Sequence, residues 1–498
     1  MLKMSALRDV LKIGIEITTE KNKNRLLEKM LKKAMDISGC DAGTLYLCKD
    51  GNLEFKIMKT LSQSVSRGEN GERIDLPPVE MKEENVCAYA AIHRQLVKIS
   101  DVYKSREFDF SGPKKYDGIT GYRTRSMLVI PMEDAEDRVI GVIQLINKMN
   151  GKGKIVSFSD DDAFVLRALG SMAAVSLTNM LYIDEIKLEM RSFVQAFATA
   201  VDERTPYNGT HTRKVIVYAC MVAEQFNKRA DEGRGDTRFD EARMEQLELA
   251  AGLHDIGKMV VPLSVMNKGT RLDEGIVRVF ERLEHIALLY ERDMLKGYVS
   301  EEQYLEKCEE LERVKRAVEK IDVAEFLSDE LLSQVDWVES LFYVGADGRR
   351  IGYLTPEEVD CLRIRKGTLT RNEREIMENH AQMTKTILRQ VHFSEKYANA
   401  PKYAAEHHEF LDGSGYPNRL RGDEISLDTR ILTAVDIFDA MTCTDRPYKK
   451  PIPRERALTI LEEMVEEGKL DGLVVEVFRE ALVGVTENEI ERRAMLFR

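Results

Sequence analysis

The sequence predicts a multidomain chain: an α+β domain first, then one long helix, then a larger part whose metal-type residues sit on helices. Three observations carry this reading. Up to about residue 179, short apolar runs of strand character alternate with helical patterns. From residue 162 to 201 the pattern stays helical, with no Pro and no Gly beyond Gly170. Seven of the eight histidines lie after residue 200, and five of them fall in separated clusters: His211, His254 with Asp255, His380, and His407 with His408, followed by Asp436. At 498 residues two or three cores are expected.

In order along the chain, residues 2–37 read as helix. The runs AGTLYL (42–47), LEFKIM (53–58), SMLVIP (126–131) and VIGVIQLI (139–146) read as strands between Gly- and Pro-containing turns. Leu169, Ala173, Ser176, Met180, Ile183, Met190, Phe193, Phe197 and Val201 recur near a three-four spacing, which suits a signalling helix that pairs with its copy in a homodimer. For Leu166–Leu177 the simpler expectation is packing on the preceding sheet. Residues 271–366 form a charge-rich, helix-prone interruption without a metal-type cluster. His93, His285 and His392 read as ordinary surface or packing histidines.

Composition excludes several classes. A formal net charge of -12 and a pI near 5.5 lack the basic footprint of a general DNA, RNA or anionic-membrane binder. Seven scattered cysteines with no CxxC pair indicate neither a disulfide framework nor a thiolate zinc site. The charged N-terminal run has no signal-peptide core, and no window is expected to reach the apolar length of a membrane span, so a soluble cytoplasmic protein is expected.

The histidine clusters and Asp436 form the inventory of a buried two-metal site. Neutral imidazoles and carboxylates ligate first-row divalent metals, and paired metals suit phosphate-ester hydrolysis because they stabilise both the attacking and the leaving oxygen. MEQLELAAGLHDIGK puts Leu247, Ala250 and His254 on one helical face, with Gly257 ending the helix. Asp255 is then free to bridge two ions, and Lys258 to offer a cation to a bound phosphate. His211 opens a helix whose stripe is Val215, Tyr218, Val222 and Phe226. His380 shares a face with Ile376, Met383 and Ile387. His407 and His408 are consecutive, so on a helix their side chains would diverge by roughly 100° and serve different ions or functions. Asp436 is expected as a ligand and Asp439 as its support or a substrate contact.

Two resemblances follow from these residues. Asn147-Lys148 after the last strand, Phe158, Asp162 and a helix ending at Asn179 resemble the GAF family, although the Glu that follows the Asp in cyclic-nucleotide-binding members is Ala163 here. This implies a small-molecule or cyclic-nucleotide ligand, or a dimerisation module. HDIGK (254–258), NH (379–380), HHEFLDGSGYP (407–417) and RILTAVDIFDAM (430–441) look like the HD-GYP family of cyclic-di-GMP phosphodiesterases. That resemblance implies an all-α bundle and metal-ligand roles for His211, His254, Asp255, His380, His407, His408 and Asp436. It implies that Lys258 contacts the scissile phosphate, and that the Gly415-Tyr416-Pro417 loop meets partners such as diguanylate cyclase domains.

This chain departs from the HD-GYP pattern in three places. Tyr207 stands where three-metal members carry Glu, so two metals are expected, iron or manganese ahead of zinc. The inserted 271–366 segment separates stretches that most members join. Arg446 lies one position late for the family's substrate-binding Arg, leaving Arg446 and Lys449 as expected phosphate contacts. The expected domains are thus a GAF-like sensor (1–180), a linker helix (181–200) and a metal-dependent phosphohydrolase (201–498). Asp255 and Lys258 are its catalytic pair, cyclic-di-GMP its substrate, and linear pGpG or GMP its product. The alternatives are another cyclic dinucleotide or nucleotide as substrate, or an inactive HD domain used as a docking module.

Overall fold

A computed structural model describes residues 12–204, 210–345, 348–443 and 451–496. Contacts divide the chain into two compact units, Met1–Glu189 and Met190–Arg498.

The first unit is built on an antiparallel sheet. Its strands are β1 (Cys40–Lys49), β2 (Asn52–Thr60), β3 (Val65–Arg67), β4 (Val79–Glu80), β5 (Val97–Ile99), β6 (Met127–Glu133), β7 (Val139–Met149) and β8 (Ile155–Val156). Their order is β3-β2-β1-β7-β6-β5, with β4 paired to β2 and β8 to β7. The four longer strands coincide with the four expected runs. The short strands were not expected, because two or three residues carry no readable period, and neither were the helices α2 (Val86–His93) and α3 (Ser111–Thr120). The N-terminal helix is broken: residues 12–18 are helical, and a new helix α1 (Lys23–Ser38) starts after Asn22, whose side chain accepts from the Arg25 N–H.

Alternation along β6 explains why both faces of the sheet are covered. Leu128, Ile130 and Met132 join one core with Leu27, Met30 and Leu31 of α1 and with Leu166, Leu169, Ala173 and Leu177 of the long helix α4 (Asp160–Asp202). Met127 and Val129 join the opposite core with Val86, Cys87 and Ala90 of α2. The Asn-Lys, Phe and Asp residues act structurally. Asn147 donates to the Tyr122 hydroxyl and the Arg123 carbonyl, Lys148 pairs with Asp162, and Phe158 is buried. A cavity of about 550 Å³ lies where α1 meets the β1–β2 end of the sheet, among Lys23, Lys49, Lys56, Arg73, Glu54 and Asp75.

One expectation fails in α4. An 18-residue window of this helix is long and apolar enough to cross a membrane, although half of it is buried in the protein. Its apolarity has a packing cause: the first half of the helix fills the sheet core.

Among the described residues, the second unit is helical apart from a two-stranded hairpin, Phe342–Val344 with Arg350–Gly352, inside the inserted segment. Helices α5 (His211–Asp231), α6 (Glu241–Leu253), α11 (Arg371–Leu388), α12 (Ala400–Ala405) and α13 (Leu427–Thr442) frame the histidine clusters. Val215, Tyr218, Val222 and Phe226 of α5 are buried as the stripe predicts, and Tyr218 packs edge-on against Phe438 and Phe478. The insertion contributes α7 (Gly275–Leu295), α8 (Glu301–Asp322), α9 (Asp329–Ser340) and α10 (Pro356–Leu362), which share a core of their own. Residues flanking it are tied together, Lys268 pairing with Glu373 at 2.7 Å, and within it the buried Arg271 donates to the Ile364, Ile321 and Ala324 carbonyls.

Candidate metal centre

The His-Asp pair sits at a helix end rather than within a helix. The α6 helix stops at Leu253, and residues 256–260 turn into a 3₁₀ helix, leaving His254 and Asp255 at the junction. Gly257 does not end α6, as the sequence suggested; it permits a close approach. A Cβ there would lie 1.9 Å from the His380 carbonyl oxygen and 2.6 Å from the Thr384 amide nitrogen. Thr384 completes the join by accepting from the Gly257 N–H and donating to the His254 carbonyl. The turn carrying Asp255 is therefore fixed against the helix carrying His380. On α11 itself, Ile376 is exposed rather than buried, while Met383 and Ile387 are half-buried.

The ligand-type residues converge. Asp255 Oδ2 faces His211 Nε2 at 3.6 Å and His254 Nε2 at 3.3 Å, while Oδ1 faces His380 Nε2 at 3.5 Å and His407 Nε2 at 3.8 Å. Asp436 repeats the division, with Oδ1 3.2 Å from His211 Nε2 and Oδ2 3.9 Å from His408 Nδ1. Three sets have donor atoms mutually within 4.8 Å: His211, His254 and Asp436; His254, Asp255 and His407; His380, His407 and His408. His407 and His408 lie in the turn after α12, not on a helix. Their rings are 4.0 Å apart and both face the cluster, against the divergence expected of helical neighbours.

Hydrogen bonds behind the rings fix which nitrogen looks inward. The Nδ1–H groups of His254, His380 and His407 donate to the carbonyls of Ala251, Met377 and Ala404, each three residues earlier. His211 Nδ1 donates to Asp439 Oδ2 at 2.7 Å. Asp439 is fully buried behind His211, in the position of a supporting partner for that ring. The inward atoms His254 Nε2, His380 Nε2, His407 Nε2 and Asp255 Oδ1 make no hydrogen bond. Buried polar atoms without partners are costly, and four of them converging on one point fit a divalent cation.

The electrostatics agree with two kinds of environment. Burial favours neutral imidazoles, yet the Asp255 and Asp436 carboxylates outweigh it at His254, raising its pKa to about 9. The same carboxylates with Asp439 outweigh burial at His211 and raise it well above the ordinary imidazole range. Burial dominates at His380, His407 and His408, pushing all three down, the last to about 3. Burial pushes the Asp255 carboxyl up, but Lys258 and the neighbouring imidazoles hold it well below the usual carboxylate range. Lys258 stands at the rim with its amine on Asp255.

The Gly415-Tyr416-Pro417 loop folds back on the two histidines. A Cβ on Gly415 would come within 2.5 Å of the His408 carbonyl oxygen, and the Tyr416 ring lies 4.7 Å from the His408 ring. Buried Glu409 accepts from the Asn418 and Leu420 N–H groups and braces the loop. Arg446, Lys449 and Tyr207 lie outside the described residues. His93, His285 and His392 belong to none of the clustered sets. Sequence reasoning missed Thr384 and Glu409. The only signal for Thr384 was its place one turn after His380.

Residues 22–177 match the GAF domain family and residues 307–474 the HD domain family. The second match takes in His380, His407, His408 and Asp436, and begins within the insertion, downstream of His254–Lys258. The 3'3'-cGAMP-specific phosphodiesterase 3 of Vibrio cholerae is 42% identical over 283 residues, covering 57% of this chain and 37% of that protein. The 3'3'-cGAMP-specific phosphodiesterase 1 of the same organism is 32% identical over 157 residues, 31% of this chain and 35% of that protein. The cyclic di-GMP phosphodiesterase of Thermotoga maritima is 31% identical over 202 residues, 39% and 50% of the two chains. The chain thus spans half or less of the length of these relatives. It carries a GAF domain followed by an HD domain, and its homologues include cyclic di-GMP and cGAMP phosphodiesterases.

Proposed function

We propose that the chain hydrolyses a cyclic dinucleotide at a two-metal centre under the control of its GAF domain. The observation that carries this reading is the division of Asp255: one oxygen faces His211 and His254, the other His380 and His407. A carboxylate so placed suits a bridge between two cations. His211, His254 and Asp436 would hold one ion, and His380, His407 and His408 the other. Mixed imidazole and carboxylate donors without thiolate favour iron or manganese. Such an ion pair, when bound, supplies a nucleophile from water at neutral pH and neutralises charge on the attacking and leaving oxygens.

The chain's own groups do the remaining work. The backbone carbonyls behind His254, His380 and His407 keep each Nδ1 protonated, so Nε2 keeps its lone pair for a cation. Lys258 steadies the charge of Asp255 and, from the rim, offers its ammonium to a non-bridging phosphate oxygen. Cyclic-di-GMP and 3'3'-cGAMP are the two substrates the relatives favour, and the stronger identity is to an enzyme named for the latter. The cavity beside α1, lined by cationic and acidic side chains together, is a place for a small polar GAF ligand.

The test is chromatography of both dinucleotides incubated with metal-analysed protein, anaerobically with iron or with manganese, comparing wild type with His254→Ala/Asp255→Ala. Linear dinucleotide or mononucleotide from wild type alone supports the reading, and the ratio of the two rates gives the substrate. A filled centre with no turnover of either dinucleotide rejects these substrates. A wild type that takes up no metal rejects the enzyme in favour of a docking module.

A further inference from the structure

The long helix α4 ends in a set of contacts that no ligand assignment uses. Its last residue, Asp202, is buried, and Asp202 Oδ1 accepts from the Thr212 hydroxyl at 2.9 Å. Thr212 is itself buried and directly follows His211 in the first turn of α5. Two residues beyond Asp202, Arg204 reaches the other ligand segment. One guanidinium nitrogen donates to the Met259 carbonyl, and the other to the Val261 carbonyl at 2.9 Å. Those carbonyls belong to the 3₁₀ turn that follows Asp255 and contains Lys258, and to the residue that ends it. One short stretch of chain therefore holds the Thr212 side chain beside His211 with one residue and the backbone that follows His254 and Asp255 with another.

This matters because the centre depends on spacing between segments far apart in sequence. Asp255 Oδ2 faces both His211 and His254, so a shift of the α5 start against the 3₁₀ turn changes those separations directly. A carboxylate accepting from a buried hydroxyl and a guanidinium forked over two carbonyls are directional contacts, able to fix such a spacing. Farther back on the same helix, Val194 lies against α6 so closely that a Cβ on Gly252 would meet it at 2.4 Å, so α4 is already seated when it reaches Asp202.

We infer that the end of α4 is a clamp, with Asp202 and Arg204 as positioning residues that set the distance between the His211 segment and the His254-Asp255 segment. Any displacement of α4 along its axis reaches both ligand segments at this point, which makes the clamp the place where control enters the centre. The inference rests on the proposed metal-centre reading.

The experiment measures Mn²⁺ affinity by calorimetry on the metal-stripped full chain, together with kcat and KM for the dinucleotide that turns over. Thr212→Val removes the hydroxyl at nearly constant shape, and Thr212→Ser restores it. Arg204→Ala removes both carbonyl contacts, and Arg204→Lys, which can keep one, serves if the alanine variant does not fold. Arg191→Ala breaks an exposed pair with Glu248 on the same helix and is the control. Loss of a group that orients metal ligands costs about 10-fold or more in affinity. The expected result is a loss of that order in Thr212→Val and in Arg204→Ala, recovery in Thr212→Ser, and no change in Arg191→Ala. Affinities within twofold of a metal-binding wild type in both variants overturn the clamp alone. A wild type that binds no Mn²⁺ overturns the metal-centre reading and the clamp with it.

Discussion

His254 is the residue at which the charge of the centre can be tested most directly. Its pKa is raised to about 9 because the Asp255 and Asp436 carboxylates outweigh burial, so in metal-free protein at pH 7 it holds a proton. A divalent cation needs the neutral imidazole, so uptake must release that proton. Mn²⁺ affinity is therefore expected to strengthen as pH rises from 7 towards 9, by up to about tenfold per unit for each proton released. Calorimetry in buffers of different ionisation enthalpy checks this, and a binding heat independent of buffer would reject it. The sign for stability is opposite. A raised folded-state pKa stabilises metal-free protein fully below the ordinary value of 6.5, and that contribution is lost as pH rises through about 9. His380, His407 and His408 are pushed the other way by burial, so at pH 7 they are already neutral and release no proton on metal uptake. At this scale the sequence was legible wherever chemistry dictates residue type: every ligand candidate lies in the cluster. The residues that aim the ligands were harder to read. A buried Thr384 or Glu409 looks like any polar residue on a helix or in a loop until its partner is known, and Gly257 was misread because its reason is a neighbouring helix distant in sequence.

Among the elements, α4 shows most clearly how period and burial diverge. Leu166, Leu169, Ala173 and Leu177 are buried in the sheet core, as the simpler reading expected. Farther along, Ile183, Ile186, Phe193 and Phe197 keep the three-four spacing yet are 55%, 62%, 66% and 52% exposed, with half-buried Met190 between them. Four large apolar side chains in one stripe on a single helix match the seam of a two-stranded coiled coil, and a second copy of this chain offers an identical stripe. Self-association is the expected outcome. Sedimentation of wild type should show a dimer, and Ile186→Glu with Phe193→Glu should shift it to monomer while leaving the far-ultraviolet dichroism unchanged. A monomeric wild type at tens of micromolar would remove the dimer reading. The strands were easier to read than this helix, because β1, β2, β6 and β7 are apolar runs bounded by turns. The helix break before Asn22 went unread because its one local signal, an Asn N-cap, sits within a run of charged residues.

For the whole molecule, the inserted segment divides what the metal centre needs from what it carries. Among the described residues, none of the clustered His and Asp residues lies between 271 and 366, and the segment has its own buried set, including Val279, Ile286, Val314, Val318, Val335 and Tyr353. Its neck is closed by contacts from residues that stay behind: Lys268 to Glu373, and the Thr368 hydroxyl to the Lys268 carbonyl at 3.1 Å. Thr370 and Glu373 form a capping box that starts α11 independently of the insertion. Arg271 belongs to the module instead, since three of its carbonyl acceptors are at Ile321, Ala324 and Ile364, and it has to leave with them. Left behind, it would be a buried charge without partners, at a cost of about 3 kcal/mol or more. Replacing residues 271–366 by a short Gly-Ser linker is therefore expected to leave Mn²⁺ stoichiometry unchanged, and the excised segment alone should melt cooperatively. A folded deletion protein that no longer binds metal would show that the insertion supports the centre from outside its ligand set. Retained metal with an altered KM would instead place the insertion at the substrate's path of entry. The charge-rich sequence marked the boundaries of this module but not its hairpin, because three-residue strands carry no period and Phe342 and Val344 are exposed on the face that would have shown one.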